Sequence, residues 1–436
     1  METVLLYILG ILIIVVGLAL SIGLHELGHL IPAKRFGVRV GQYMIGFGPT
    51  IFSRMKGETE YGLKAIPLGG YISMSGMYAP AHEGGRGRTA TTSMFETLVQ
   101  DDTKADDDEG RTFFQLPVFK RVIIMLGGPV MNLLIAVVLY TVILCGFGIA
   151  QTTTTIGSVS QCVVAASSQS QECTSADPVA PGVEAGIKPG DRIVSMNGQA
   201  IGTWDEATAI IRASAGKSID IVVDRAGAEV ALTATPLLTE RYVYDDKGAP
   251  VKGADGKQVT EEVGFLGIGS ATAIVQQPVT AVLPTVGDRV VGIISVITQL
   301  PQRLVDVAVA AFGPGDRDPN GLIGVVGVGR LAGEITSMSD IPIASRAAGI
   351  IEVVASLNIA LFVFNLIPLV PLDGGHIAIA LIDGIRRFFA RIFKRPEPGP
   401  IDATRILPVT LVVTVLLGAM TLLLVYADIV KPITLQ

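Results

Sequence analysis

Long apolar runs alternate with polar stretches along this chain. A helix needs about 20 predominantly apolar residues to cross the hydrocarbon of a bilayer. Four uncharged runs reach that length: Val4–Leu24, Val122–Ala150, Val353–Leu372 and Ile406–Ala427. A fifth uncharged run, Ile268–Val286, carries Gln276, Gln277, Pro278 and Pro284 and reads as extended or interfacial chain. The first run follows Met1-Glu2-Thr3, has no basic residue before it and no small-residue cleavage site after it, so it reads as a retained helix.

The pattern divides the chain into a first span over 1–30, a polar loop over 31–121 and a second span over 122–150. A soluble-type domain follows over 151–240, then a segment at the membrane surface over 241–345. The third span region covers 346–382, a loop 383–405, and the fourth span with its tail 406–436. Within the first loop, roughly 80–111 is an acidic, solvated insert around Asp106, Asp107, Asp108 and Glu109. Alternating strand-like runs at Ser218–Asp224 and Glu229–Thr235, with a helical stretch Asp205–Ala215 before them, give the middle domain an αβ character. Residues 288–312 are amphipathic.

Charge orients the spans. Lys34, Arg35, Arg39, Lys120 and Arg121 flank the first loop, and Arg386, Arg387, Arg391, Lys394, Arg395 and Arg405 fill the second. Both loops are therefore expected in the cytoplasm, with 151–345 and both termini outside. Composition agrees with a membrane protein carrying a water-soluble part: 50% of the 436 residues are hydrophobic, 17% are charged and the mean hydropathy is +0.55. Average soluble domains carry about 25% charged residues. A net charge of −6 disfavours nucleic acid as a partner.

The first span ends in His25-Glu26-Leu27-Gly28-His29, an H-E-x-x-H. Residues i and i+4 share a helix face, so two imidazoles can hold one zinc ion while Glu26 takes a proton from a water at the metal. An ionisable residue at the centre of a membrane helix costs about 2.5–3.5 kcal/mol, so such a cluster at the end of an uncharged helix calls for a reason. A third ligand is needed. His82 sits in a polar, Gly-rich loop and reads as solvated. Asp373 is the first charge after the third run, at a Gly374-Gly375 break. It either completes the site as a carboxylate ligand or caps the helix that begins there. His376 reads as a supporting or capping residue.

HELGH in a first transmembrane helix, together with Asn365-Leu-Ile-Pro368-Leu-Val-Pro371-Leu-Asp373-Gly374, resembles the site-2 protease family of intramembrane zinc metalloproteases. The layout of four spans is similar to its bacterial group with an extracytoplasmic PDZ domain, of the regulator of sigma-E protease type. The resemblance covers roughly 20–76, 117–135, 180–236 and 350–384, and more weakly 319–335. It implies Zn2+ as cofactor, His25, His29 and Asp373 as its ligands, and Glu26 as catalytic acid-base. It implies a membrane-associated β-loop in Glu60–Met74, with Gly69, Gly70 and Tyr71 meeting an unwound substrate. Asn365 is implied in substrate binding. Many relatives place a second Asn five residues earlier, where this chain has Ala360, and Asn358 lies seven before. Gly127-Gly128-Pro129-Val130-Met131-Asn132 resembles a second-helix signature near the active site.

The expected architecture is thus a polytopic α-helical membrane protein of four transmembrane helices, an extracytoplasmic PDZ domain and a cytoplasmic β-loop, in a bacterial plasma membrane. Its expected substrates are single-pass membrane proteins such as anti-sigma factors, cut after a first extracytoplasmic cleavage. Pro189-Gly190-Asp191-Arg192-Ile193-Val194 and Asn197-Gly198 carry the PDZ resemblance, which implies capture of extended peptides or a simple spacer. The 11-residue separation of Cys162 and Cys173 suits a disulfide there. A catalytically idle adaptor and a metal transporter are the competing readings. The intact HELGH with Asp373 argues against the first, and the lack of inverted repeats against the second.

Overall fold

The computed structural model describes residues 2–78, 88–91, 111–165, 168, 173–174, 177–243, 251, 253, 258–315, 317–396, 398–399, 401 and 407–434. His82 and most of the acidic insert lie outside them. The chain divides into two compact units, one of residues 1–147 with 277–436 and one of Gly148–Gln276.

The first unit is built on helices. Helix α1 spans Glu2–Arg35, longer than its apolar run, because HELGH and the residues after it continue the helix to a basic last turn of Lys34 and Arg35. Cations there suit the partial negative charge of a helix C-terminus. Helix α2, Val118–Thr141, runs on through a π-helical turn at Val142–Phe147. The two helices cross where Gly28 meets Gly127 and Gly128, and a Cβ on any of the three would strike the facing helix. Small residues of this kind let helix backbones touch.

Between α1 and α2 the chain makes a sheet. Strands β1, Val40–Lys56, and β2, Thr59–Tyr78, fold back on themselves, so that residues 42–45 are flanked by 60–63 on one side and 70–73 on the other. Strand β3, Arg88–Thr91, adds to β2. The expected β-loop over 60–74 is the inner part of this larger sheet. Ile72 and Met74 pack with Leu30, Ala33, Phe113, Ile124 and Met125 in one buried cluster, which seats the sheet against the ends of α1 and α2. The Tyr43 hydroxyl donates to the Gly23 carbonyl at 2.7 Å, a second anchor on α1.

After the second unit come α5 (Val282–Thr298), α6 (Leu300–Phe312), α7 (Val325–Ser337), α8 (Ile343–Asn365), α9 (Asp373–Ile392) and α10 (Leu407–Val430). Five helices among the described residues, not four, are long and apolar enough to cross a membrane, the extra one being Val279–Thr298. The expectation of extended or interfacial chain over 268–286 holds in its first half and is corrected in its second. Ile268–Val275 is a strand, and the helix begins beyond Pro278. Asp288 and Arg289 hid this helix by interrupting the apolar run, but Arg289 is ion-paired at 2.9 Å with Glu352 of α8. Residues 383–392, expected as loop, continue α9. Asp383 explains this, since it packs inward on Arg121 of α2 at 2.6 Å, with both side chains buried.

The second unit is a β-sheet domain with strand order β11-β4-β5-β7-β8. Its strands are β4 (Ile149–Val159), β5 (Arg192–Met196), β7 (Ile219–Arg225), β8 (Ala228–Ala234) and β11 (Ile268–Val275), with the short β6 (Gln199–Ala200) paired to β5. A short helix α3, Pro181–Glu184, and helix α4, Trp204–Ala213, complete it, the latter opened by a capping box of Thr203 and Glu206. Alternating Ile219, Ile221 and Val223 meet Ile156, Ile193, Met196 and Ile211 in its core, as period-two burial requires. Asp191 of the Pro-Gly-Asp turn is buried and accepts two bonds from Arg225 at 2.7 Å, which holds its carboxyl below the usual range. Cys162 and Cys173 form the expected disulfide. The expected boundary at 240 is too early: β9 (Leu237–Tyr242) pairs with β10 (Thr260–Phe265), and β11 pairs with β4, so the unit runs to Gln276.

Candidate metal centre

His25 and His29 sit one turn apart on α1, and Asp373 is the first residue of α9. The structure brings them together across the bundle. The two Nε2 atoms lie 3.2 Å apart, and each lies 3.3 Å from Asp373 Oδ2. All three residues are buried. Among the described residues they form the one group of three metal-type ligands within such reach. Three lone-pair donors converging on one point repel one another unless a cation is shared. Zinc bonds to nitrogen and carboxylate oxygen of about 2.0–2.1 Å imply tetrahedral edges of about 3.3 Å. The triangle therefore fits zinc and leaves a fourth corner open. Leu372, not Asp373, holds the N-cap position of α9, and Asp373 is already the first helical residue, so the helix does not begin after it as the capping alternative requires.

The ring nitrogens turned away from the triangle are also held. His29 Nδ1 lies 2.8 Å from the Ile124 carbonyl of α2, which fixes its proton on that nitrogen and frees Nε2 for the metal. His25 Nδ1 faces the Asn132 carboxamide at 3.1 Å. Asn132 is fully buried and its Oδ1 otherwise lacks a partner. Turning that amide over gives the His25 N–H an acceptor and satisfies the oxygen. The sequence signal for Asn132 was the second-helix signature, but its bond to His25 joins residues 107 apart and could not be read from spacing. Gly128 has no room for a side chain, because a Cβ would meet the His25 ring at 2.7 Å.

Glu26 is buried beside this triangle. Strand β2 crosses it: a Cβ on Gly70 would stand 3.1 Å from Glu26 Cγ and 3.0 Å from Ile22. Only glycine brings the strand backbone this close. Gly69 next to it has φ +155° and carries the Phe47 ring against its face. Tyr71 is buried, with its hydroxyl donating to Gln42 Oε1 at 3.2 Å and its backbone paired with Met44 in the sheet. Asn365 closes α8 and is half-buried. Asn358 lies elsewhere. It is fully buried between helices, donating to Ser21 Oγ of α1 and to the Val354 carbonyl, each at 2.8 Å. That places it in the packing of α8 against α1. His376 is buried one turn into α9 and outside the triangle.

Known proteins resemble this chain over most of its length. The model of peptidase family M50 matches residues 13–395. The chain belongs to peptidase family M50. It is 33% identical over 99% of both chains to the zinc metalloprotease Rip1 of Mycobacterium tuberculosis, and 31% identical over 98% of both to Rip1 of Mycolicibacterium smegmatis. It is also 29% identical to the metalloprotease MmpA of Caulobacter vibrioides, over 87% of this chain and 88% of that one. This M50 chain is accordingly a multi-pass membrane zinc metalloprotease of the site-2 protease family, with Zn2+ as its cofactor. The matched span begins inside α1 and ends just past α9, so it takes in every residue of the triangle.

Proposed function

We propose that this M50 peptidase is an intramembrane endopeptidase that cuts the transmembrane segment of single-pass membrane proteins, anti-sigma factors among them, after a first extracytoplasmic cleavage. The observation that carries the proposal is the burial of His25, Glu26 and His29 in a helix long and apolar enough to cross a membrane, with buried Asp373 closing on the two histidines. A soluble peptide has no direct route to such a site, whereas a membrane helix meets it sideways.

A helical substrate hides its carbonyls in i to i−4 bonds. The strand at Gly69 and Gly70, lying on Glu26, offers backbone partners to an opened stretch by strand addition. His25, His29 and Asp373 hold the zinc, and Asn132 and Ile124 fix the imidazoles. Zinc bound there polarises a carbonyl and lowers the pKa of a water toward about 7. The Glu26 carboxylate takes the proton of the attacking water and passes it to the leaving amine. Asn365, at the end of α8, contacts the substrate.

The basic segment 31–117 and the basic second half of α9 with the residues that follow it lie on the cytoplasmic side of a bacterial membrane, and the second unit lies outside. That unit is a PDZ domain in this reading, supported by its Pro-Gly-Asp turn and by a cavity of about 560 Å³ between α4 and residues 263–268. It excludes untrimmed ectodomains by size.

The test is cleavage in proteoliposomes of a single-pass anti-sigma factor already trimmed outside the membrane. Glu26→Gln should lower turnover by about 10²–10⁴-fold while leaving zinc bound. Turnover near wild type, or loss of zinc from the variant, would remove Glu26 from its role.

A further inference from the structure

Helix α9 has two faces. Asp373, His376, Ala380, Asp383 and Ala390 are buried against the rest of the helical unit. The opposite face, from Leu381 onward, is a stripe of Ile385, Phe388, Phe389, Ile392 and Phe393 at i, i+3, i+4 spacing, with Phe388 62% and Phe393 66% exposed. Among the described residues its rings pair with one another, Phe388 with Phe389 and Phe389 with Phe393. Helix α9 is not one of the five helices long and apolar enough to cross a membrane, so an apolar stripe on one face suits a helix lying at the membrane surface.

Cations border the stripe. Arg386, Arg391, Lys394 and Arg395 are all exposed. The one acidic residue between 381 and 395 is Asp383, which is buried and already paired with Arg121 and Arg387. The surface is therefore apolar in its middle and positive at its edge.

We propose that the second half of α9 is a docking surface for anionic phospholipid, with acyl chains along the stripe and headgroups at Arg386 on one flank and at Lys394 and Arg395 past the helix end. Charge complementarity selects this occupant. A second copy docked on the same face would oppose cations to cations. A zwitterionic lipid would cover the stripe and leave the cations without a net counter-charge. Basic amphipathic helices recognise anionic leaflets by this combination. The lipid would sit on the helix whose first residue is Asp373, so it would steady the far end of the segment that delivers the third ligand.

The full-length protein in nanodiscs of mixed phosphatidylglycerol and phosphatidylcholine provides the test. Lipid retained after transfer to detergent is quantified by mass spectrometry. Wild type should retain phosphatidylglycerol in preference, and each cation removed should cut that preference by about fivefold. R386Q/K394Q/R395Q should abolish the preference while keeping its zinc, which shows that the fold is intact. I385S/F389S should lower total retained lipid and keep the preference. Equal retention of both lipids by wild type would overturn the proposal. So would a preference unmoved by the triple substitution, with R54Q/K56Q on the β1 tip then showing whether that strand carries it, or a dimer that masks the stripe.

Discussion

Asp373 and Asp428 are both carboxylates buried in the helical unit, 5% and 1% exposed, and their neighbours are of opposite kinds. Asp428, near the end of α10, accepts from Arg317 Nη1 at 2.8 Å and from the backbone N–H groups of Gly324 and Gly327 at 2.9 and 2.7 Å. Every partner is a permanent donor. The charge is neutralised and the N-terminus of α7 is satisfied in one contact. Asp373 faces two imidazole nitrogens whose other ring atoms are already engaged. That set is deficient by one cation. Burial alone does not separate a structural carboxylate from a chemical one, whereas the balance of donors and acceptors around it does.

Removing both carboxylates in turn would break the contrast if it is wrong. Asp373→Ala should lose zinc and all measurable cleavage, read by metal analysis alongside a turnover assay. Full zinc occupancy in that variant would make Asp373 a bystander. Asp428→Ala should keep zinc in the folded protein yet lose about 3–5 kcal/mol of stability, because Arg317 is left buried without its partner. Denaturant unfolding in detergent reads that loss, and an unchanged midpoint would mean that the pair contributes little. A smaller effect sharpens the account of how the metal side is held. Asn132→Leu should weaken zinc binding about 10–100-fold, while Asn132→Asp, which keeps an acceptor for His25, should weaken it less. Competition with a chromogenic chelator measures both, and identical affinities for wild type and Asn132→Leu would exclude the His25 contact as a support.

The metal side of this contrast was legible in the sequence because its signals are local. HELGH sets two imidazoles by helical spacing, and an Asp at a Gly-Gly break after an apolar run stands out by cost. Whatever rests on long-range pairing was not legible. Asp383 looks like loop charge until Arg121 of α2 is brought beside it, and Asp428 looks like a tail residue until Arg317 meets it. Arg289 interrupts the apolar run that Glu352 of α8 then answers, so a helix was read as extended chain. Strand β11 was assigned outside its domain because its partner β4 lies more than a hundred residues earlier. The Asn358–Ser21 bond was hidden for a related reason: motif spacing carries no record of which helix face turns toward Ser21.

The two imidazoles belong to the first helix of the chain and the carboxylate to the helix that starts at Asp373. During synthesis the histidines therefore enter the membrane long before their third partner exists. A nascent or truncated chain that stops ahead of α9 carries the recognisable signature of a peptidase and none of its chemistry. Assembly order acts as a safeguard: the bundle must close, with α2 laid across Gly28 and α9 returned to α1, before any neighbouring membrane protein is at risk.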